Sequence, residues 1–327
     1  MIVVTGGAGF IGSNLLAALE SRGELVVVDH LGDGDMWRNI AKRELADVIH
    51  PDDFHDWLKG RSSEQIQAIF HMGAISSTTE TDVDLIVENN VRLSLDLFRW
   101  CAQEKVRFIY ASSAATYGDG AHGFQDDDAV AELAHLQPLN AYGWSKHMVD
   151  RRLARVLREG GSLPPQCVGL KFFNVYGPNE YHKGSMRSVV HQLHPQIADG
   201  AAAKLFRSHH PDYQDGGQLR DFIYVKDVVD VMMWMFDHPQ VQGLYNVGTG
   251  QARSFADLAS AVFAALGKEP RFEFIDTPLE IRDKYQYFTQ AEMGKLRAAG
   301  YTRAFTSLED GVKDYVLAYL EREDPYC

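Results

Sequence analysis

Cysteine is scarce in this chain. The three among 327 residues, Cys101, Cys167 and Cys327, stand far apart. That spacing gives neither a disulfide framework nor the paired thiols of a zinc site, so free thiols are expected. Long apolar runs are missing too. A membrane-crossing helix needs roughly 18 to 20 apolar residues, and the most apolar stretch, residues 228–236, is shorter and contains Asp230. Positive charge is in deficit: 32 Lys and Arg stand against 45 Asp and Glu, a formal net charge of -13. Such a field repels nucleic acid and anionic membrane, so no partner of either kind is expected and any anionic ligand must be held by a local cluster of donors. Metal-ligand spacing is absent as well. His191 and His194 stand three apart and His209 and His210 are adjacent, but no third ligand follows at a recognisable interval, and no metal is expected. The first apolar residues run straight into a glycine turn without a basic region or a small-residue cleavage site, so a cytoplasmic location is expected.

What is present is alternation. Apolar, β-branched runs at residues 2–4, 25–28, 68–71, 108–112 and 168–173 are separated by apolar-periodic segments at 13–22, 85–101 and 142–158. Buried strands alternating with helices predict an α/β fold, a doubly wound parallel sheet of the Rossmann type. After Gly177 the pattern loosens into turns and shorter elements, which predicts a smaller, discontinuous C-terminal substrate domain. Residues 1–172, with 221–249 and 286–300 returning to them, are expected to bind a dinucleotide. Residues 173–220, 250–285 and 301–327 are expected to form the second unit. The acidic run at residues 126–128 reads as a solvated loop.

Two motifs carry chemistry. The turn VTGGAGFIG (residues 4–12) follows a strand and opens a helix, with glycines at 6, 9 and 12. Gly6 permits the tight turn, Gly9 lets the main chain approach a pyrophosphate, and Gly12 allows close helix packing beneath free N–H groups. Asp29, closing the second strand, is placed to meet the adenosine ribose. By itself it favours NAD, whereas Arg38, Lys42 and Arg43 either pair with a 2'-phosphate or form a solvated helix face. The second motif is ASSAATYG (residues 111–118) followed by Tyr142 and Lys146, which share a helix face at i and i+4. A free phenol ionises near ~10, so taking an alcohol proton at neutral pH needs that value lowered by a nearby ammonium. Lys146 is expected to supply that charge and Ser113 a hydrogen bond to the reacting oxygen. Arg220 leads into an apolar β run, where its guanidinium either forks onto a diphosphate or pairs with Asp221. Arg282 and Lys284 form a weaker anion clamp beside Tyr285, and residues 209–217 look like an insertion that lengthens a loop over a nucleotide.

The order of glycine turn, strand-end serine and Tyr-x-x-x-Lys resembles the extended short-chain dehydrogenase/reductase superfamily. The segments HMGAISSTTE (71–80), KFFNVYGP (171–178), HKGSM (182–186) and YQYFTQA (285–291) look more closely like the ADP-glyceromanno-heptose 6-epimerase family. The likeness spans nearly the whole chain. It implies epimerisation at C6'' of an ADP-linked heptose for lipopolysaccharide core synthesis, by transient oxidation and re-reduction with tightly bound NADP or NAD, of which the family favours NADP. It also implies a homo-oligomer, with five subunits as the family pattern. By this resemblance Ser113, Tyr142 and Lys146 oxidise the hydroxyl and Lys183 is a second acid/base. Phe10, Ile11, Asp29, His30, Met72, Gly73, Ala74, Ile75, Ser76, Asn89 and Val175 fall where the family contacts its dinucleotide. Asn174, Ser185, Phe206, Arg207, Ser208, His209, Arg220 and Tyr285 fall where it contacts the sugar nucleotide. Met36 and Pro51 replace residues that are often lysine beside NADP, and Gln192 replaces a substrate-side histidine.

The resemblance explains why a second lysine would matter. An exocyclic carbinol carbon that loses a hydride, rotates and regains it on the other face presents its oxygen to two protein groups in turn. Proton transfer is then needed at both positions: Tyr142 at one, Lys183 at the other, with Asn174 holding the substrate. From local sequence alone, Lys183 reads equally as a mobile lysine in a Gly/Pro loop. A 4-epimerase of the same fold shares the triad. A dehydratase needs an acid and a base where Ala114 and Ala115 stand, and a non-catalytic dinucleotide sensor has no use for Ser113, Tyr142 and Lys146 together.

Overall fold

A computed structural model describes residues 1–278, 282 and 286–327. Seven parallel strands form the central sheet: β1 (Ile2–Thr5), β2 (Leu25–Val28), β3 (Asp47–Ile49), β4 (Ala68–His71), β5 (Arg107–Ser113), β6 (Cys167–Phe172) and β10 (Gly243–Val247). Their spatial order is β3-β2-β1-β4-β5-β6-β10. Strands β1, β2 and β4 are buried at every residue, as expected of parallel strands covered by helices on both faces. Chain order reverses between β1 and its neighbours β2 and β4, and this reversal opens a crevice beyond the strands' carboxyl ends.

The first helix, Phe10–Leu19, packs Leu15, Leu16 and Leu19 with Val228 and Met232 of the helix Val225–Asp237 on one face of the sheet. On the other face, Leu97 and Phe98 of Leu93–Glu104 and Val149 and Leu153 of Ala141–Arg158 close a second apolar layer. A third core lies under the smaller elements. There β7 (Asn174–Tyr176), β9 (Leu219–Tyr224) and β11 (Ala252–Ser254) form a three-stranded sheet in the order β11-β9-β7, and β8 (Ala203–Phe206) pairs with β12 (Phe272–Ile275). Tyr176, Leu193, Phe222, Leu258 and Tyr315 fill this core. The boundary expected at residue 221 thus falls inside β9, a strand of the small sheet.

One local reading is corrected here. The acidic run at 126–128 is no solvated loop. Asp126, 5% exposed, accepts from the Asn246 amide at 2.8 Å, and Asp128 accepts from the Leu244 amide at 3.2 Å and from Lys295 at 2.8 Å. These carboxylates satisfy backbone donors along the outer strand β10, a task an edge strand otherwise leaves to solvent.

Candidate active site

The crevice is a cleft of about 720 Å³ at the carboxyl ends of β1, β4 and β5. Its floor is the glycine turn. Gly6 has φ +65, and a Cβ there would stand 2.5 Å from the Gly73 nitrogen, while one at Gly12 would collide with the Gly6 carbonyl oxygen. Both positions therefore require glycine, and the turn lies hard against the loop after β4. Gly9, Phe10, Ile11, Met72, Gly73, Ala74, Ile75, Ser76 and Val175 all line the cleft. Asp29 does too. One of its oxygens accepts from the Ala8 amide and the other from the His30 amide, both at 2.9 Å, and burial holds its pKa above the usual carboxylate value against these bonds.

His71, at the end of β4, supports this floor. The Ser94 hydroxyl donates to the Asn90 carbonyl at 2.6 Å, so it accepts from Nε2 of His71 at 2.8 Å. Nδ1 then accepts from Thr5 at 2.7 Å, and Thr5 in turn receives the Gly73 amide. Burial first, then the Lys146 charge, lowers the His71 pKa to about 3, so the ring is neutral.

Ser113, Tyr142 and Lys146 meet on one wall. Ser113 ends β5 and accepts from the Ala115 amide at 3.1 Å. Tyr142 sits in the first turn of Ala141–Arg158, capped by Asn140, whose side-chain oxygen accepts from the Gly143 amide at 2.8 Å. A Cβ at Gly143 would lie 2.6 Å from the Ala115 carbonyl, so only glycine lets this helix start close enough for the phenol to bond with Ser113. Burial raises the Tyr142 pKa, and the Ser113 bond opposes it. The lowering expected from Lys146 is thus not found here: its ammonium, 3% exposed, points to the Ala111 carbonyl at 2.9 Å. Desolvation pulls the Lys146 pKa to about 8, with Asp150 opposing. Asp150 lies one turn further on, paired in the interior with Lys171 of β6 at 3.0 Å.

Lys183 reaches the same cleft from a separate element, the short helical turn Tyr181–Met186. Its ammonium stands 5.4 Å from the centre of the Phe10 ring, a cation–π contact, and burial lowers its pKa while Glu180 opposes. This is not a free loop lysine. Asn174 also lines the cleft, as do His182 and Arg187.

Other expected contacts lie elsewhere. Asn89 is outside the cleft wall and donates to Leu85 at 2.9 Å, whereas its neighbour Asn90, 0% exposed, holds the amide and carbonyl of Ile75. The His30 ring turns to His50 at 2.9 Å. Gln192 bonds the carbonyls of Ser185 and Arg187 from the helix Val189–Ala198. Phe206, Arg207, Ser208 and His209 lie at and beyond the end of β8, with Ser208 bonded to Asp215 and the His209 amide to the Tyr287 hydroxyl. Arg220 does not pair with Asp221. It donates to the carbonyls of Leu219 and Gln286 and lies over the Phe255 ring, while Asp221 accepts from the amides of Thr249, Gly250 and Ala291. Arg282 donates to Thr277. Lys284 and Tyr285 lie outside the described residues.

The residues that sequence reasoning passed over are Asn90, Asp150, Lys171 and Glu180. A signal for two of them existed. Lys171 is a charge inside an apolar strand, and Asp150 repeats the Tyr142/Lys146 spacing once more.

A glycine turn, a carboxylate just after the second strand and a Ser-Tyr-Lys set in one crevice define an NAD(P)-dependent enzyme of the short-chain dehydrogenase type. Residues 2–248 match the NAD dependent epimerase/dehydratase family, and the chain belongs to it. Over the full length of both chains it is 52% identical to ADP-L-glycero-D-manno-heptose-6-epimerase of Nitratidesulfovibrio vulgaris strain Hildenborough. It is 47% identical, again over all of both chains, to the protein of that name from Fusobacterium nucleatum. Among solved structures, the Helicobacter pylori ADP-L-glycero-D-manno-heptose-6-epimerase superposes with TM-score 0.77 at 30% identity, covering 96% of this chain and 94% of the other. The Thermus thermophilus UDP-glucose 4-epimerase, a complex with NAD, superposes with TM-score 0.74 at 26% identity, covering 96% and 97%.

Proposed function

We infer that this chain inverts C6'' of ADP-D-glycero-β-D-manno-heptose to give the L-glycero epimer, a step in making lipopolysaccharide core heptose. The observation that carries the reading is the convergence of two proton-transfer groups, Tyr142 and Lys183, from two separate elements into one cleft. A nicotinamide dinucleotide held by the glycine turn and Asp29 would supply the acceptor and donor of the hydride that leaves the carbinol carbon and returns to its opposite face. Tyr142, held by Ser113, takes the hydroxyl proton in one rotamer of the C5–C6 bond. Lys183 serves the oxygen after rotation, and Asn174 fixes the sugar. Full-length identity to the heptose epimerases favours this substrate over the ring carbon of a 4-epimerase. Incubation with the ADP-D-glycero heptose deuterated at C6'' is expected to yield the L-glycero epimer with the isotope retained. Loss of deuterium to water, or inversion of a 4-hydroxyl in a UDP-sugar instead, overturns the assignment.

The cofactor in this reading is NAD. Each basic residue that could neutralise a 2'-phosphate has an acidic partner: Arg38 with Asp35 at 3.3 Å, Lys42 with Asp324 at 2.9 Å and Arg43 with Glu20 at 2.8 Å. None lines the cleft, whereas Asp29 does, and a carboxylate facing a phosphate is repulsive. Protein stripped of dinucleotide is expected to bind NAD at least about tenfold more tightly than NADP by calorimetry; the opposite order refutes the preference. With the boundary moved past β9, residues 1–172, 225–249 and 286–300 would then hold the dinucleotide, and 173–224, 250–285 and 301–327 would cover the sugar nucleotide. Among the described residues no helix is long and apolar enough to cross a membrane. Work in the cytoplasm as a homo-oligomer completes the reading.

A further inference from the structure

A second acid/base is useful only if it has a fixed place, yet Lys183 stands in a turn bounded by Gly177, Pro178 and Gly184. We propose that Glu180 is a positioning residue for Lys183, its buried carboxylate closing the turn that carries the lysine. Glu180 is 1% exposed. One of its oxygens accepts from the Ser188 amide and the other from the Ser188 hydroxyl, each at 2.5 Å, which draws together two points eight residues apart. The buried Tyr315 phenol lies beside the same carboxylate. Between the two points the chain reverses at Gly184, whose φ of 54 suits glycine, and the Glu180 carbonyl accepts from the Lys183 amide at 3.1 Å.

The base of the turn is anchored in turn to the dinucleotide floor. Asn179 adopts φ 72 and donates its side-chain amide to Ser13 at 3.0 Å, while Asn14 donates to the Pro178 carbonyl at 3.0 Å. Ser13 and Asn14 belong to the helix that the glycine turn opens. Asn39 bonds both the Ala8 and the Asn179 carbonyls, at 2.8 and 3.1 Å. Lys183 is thus set in register with the floor through Asn179 and held in place through Glu180. A carboxylate is costly to bury unless its hydrogen bonds are made, and here both oxygens are engaged.

The inference rests on Lys183 being the second proton-transfer group, and the variants separate the two claims. Misplacing a catalytic group by about 1 Å costs on the order of 10²-fold, so Glu180→Ala is expected to lower kcat by about 10- to 100-fold. KM and dinucleotide affinity stay near the parent values. Glu180→Gln can still accept from the Ser188 amide and donate to its hydroxyl, and recovers most of the rate. In a Lys183→Ala background Glu180→Ala costs nothing further, because there is no lysine left to position. Should Glu180→Ala fail to fold, as judged by circular dichroism and dinucleotide binding, Ser188→Ala carries the same test. It shows a smaller loss of kcat that vanishes in the Lys183→Ala background. A parent-like kcat in a folded Glu180→Ala, or an equal fold-loss with and without Lys183, overturns the inference. Undiminished epimerisation by Lys183→Ala overturns instead the reading on which it rests.

Discussion

Tyr142→Phe and Lys183→Ala are each expected to lower epimerisation by about 10²- to 10⁴-fold, the range a positioned general acid/base supplies. Dinucleotide should remain bound in both, because the glycine turn and Asp29 form the floor independently of either side chain. Tyr142→Phe deletes only the phenolic oxygen and its bond to Ser113, so the loss is chemical. Lys183→Ala removes the ammonium over Phe10 but leaves the Glu180–Ser188 clasp, so the turn keeps its shape. Turnover is read by resolving the two C6'' epimers, and retained cofactor by releasing it from denatured protein. If both variants lose turnover, proton transfer is needed at two oxygen positions. A Lys183→Ala enzyme that epimerises at the parent rate refutes the two-sided scheme. The Lys146 ammonium, held against the Ala111 carbonyl, loses its charge as pH rises through about 8.

The parts of this site legible in the sequence are those whose chemistry is local. The glycine turn, the serine ending β5 and the Tyr142/Lys146 pair are set by residues within one strand, turn or helix, so spacing alone places them. Misreadings come where a distant element decides. The alternative that pairs Arg220 with Asp221 fails in this way: successive strand residues point to opposite faces, and Asp221 meets amides from Thr249 and Ala291 instead. Asp126 and Asp128 read as solvated because the strand they cap, β10, comes more than a hundred residues later. By the resemblance Asn89 falls where the family contacts its dinucleotide, yet its neighbour Asn90 holds Ile75. The widened π-helical turn Val87–Arg92 shifts which residue faces the loop, a change no regular periodicity reveals. Lys183 is the extreme case. Periodicity and spacing give its loop no role, and Glu180, Asn179 and the first helix, all outside that spacing, tie its turn to the cleft.

Lys171→Met is expected to reduce the free energy of unfolding by about 3 to 5 kcal/mol, the cost of stranding one partner of a buried ion pair. Lys171 and Asp150 are both 0% exposed, and their 3.0 Å contact is completed by hydrogen bonds on each side. Asp150 accepts from Tyr110 at 3.0 Å and Ser112 at 2.7 Å; Lys171 donates to Thr116 at 2.7 Å and lies 4.7 Å from the Tyr117 ring centre. The Thr116 hydroxyl donates in turn to the Ser113 carbonyl at 2.8 Å, so the network ends at the serine bonded to Tyr142. Removing the lysine leaves a buried carboxylate bonded only to neutral hydroxyls, with the Lys146 charge one turn away as its remaining electrostatic partner. Asp150→Leu leaves a buried ammonium in the mirror situation. The double variant Asp150→Leu, Lys171→Met strands neither charge, and is expected to be destabilised by less than the sum of the two singles, retaining a cost of about 1 to 3 kcal/mol for each buried hydroxyl that goes unpaired. Urea unfolding of the four proteins measures the coupling directly. Two single variants that each cost under about 1 kcal/mol, or a double variant equal to their sum, would show that the pair does not hold Ala141–Arg158 against β6.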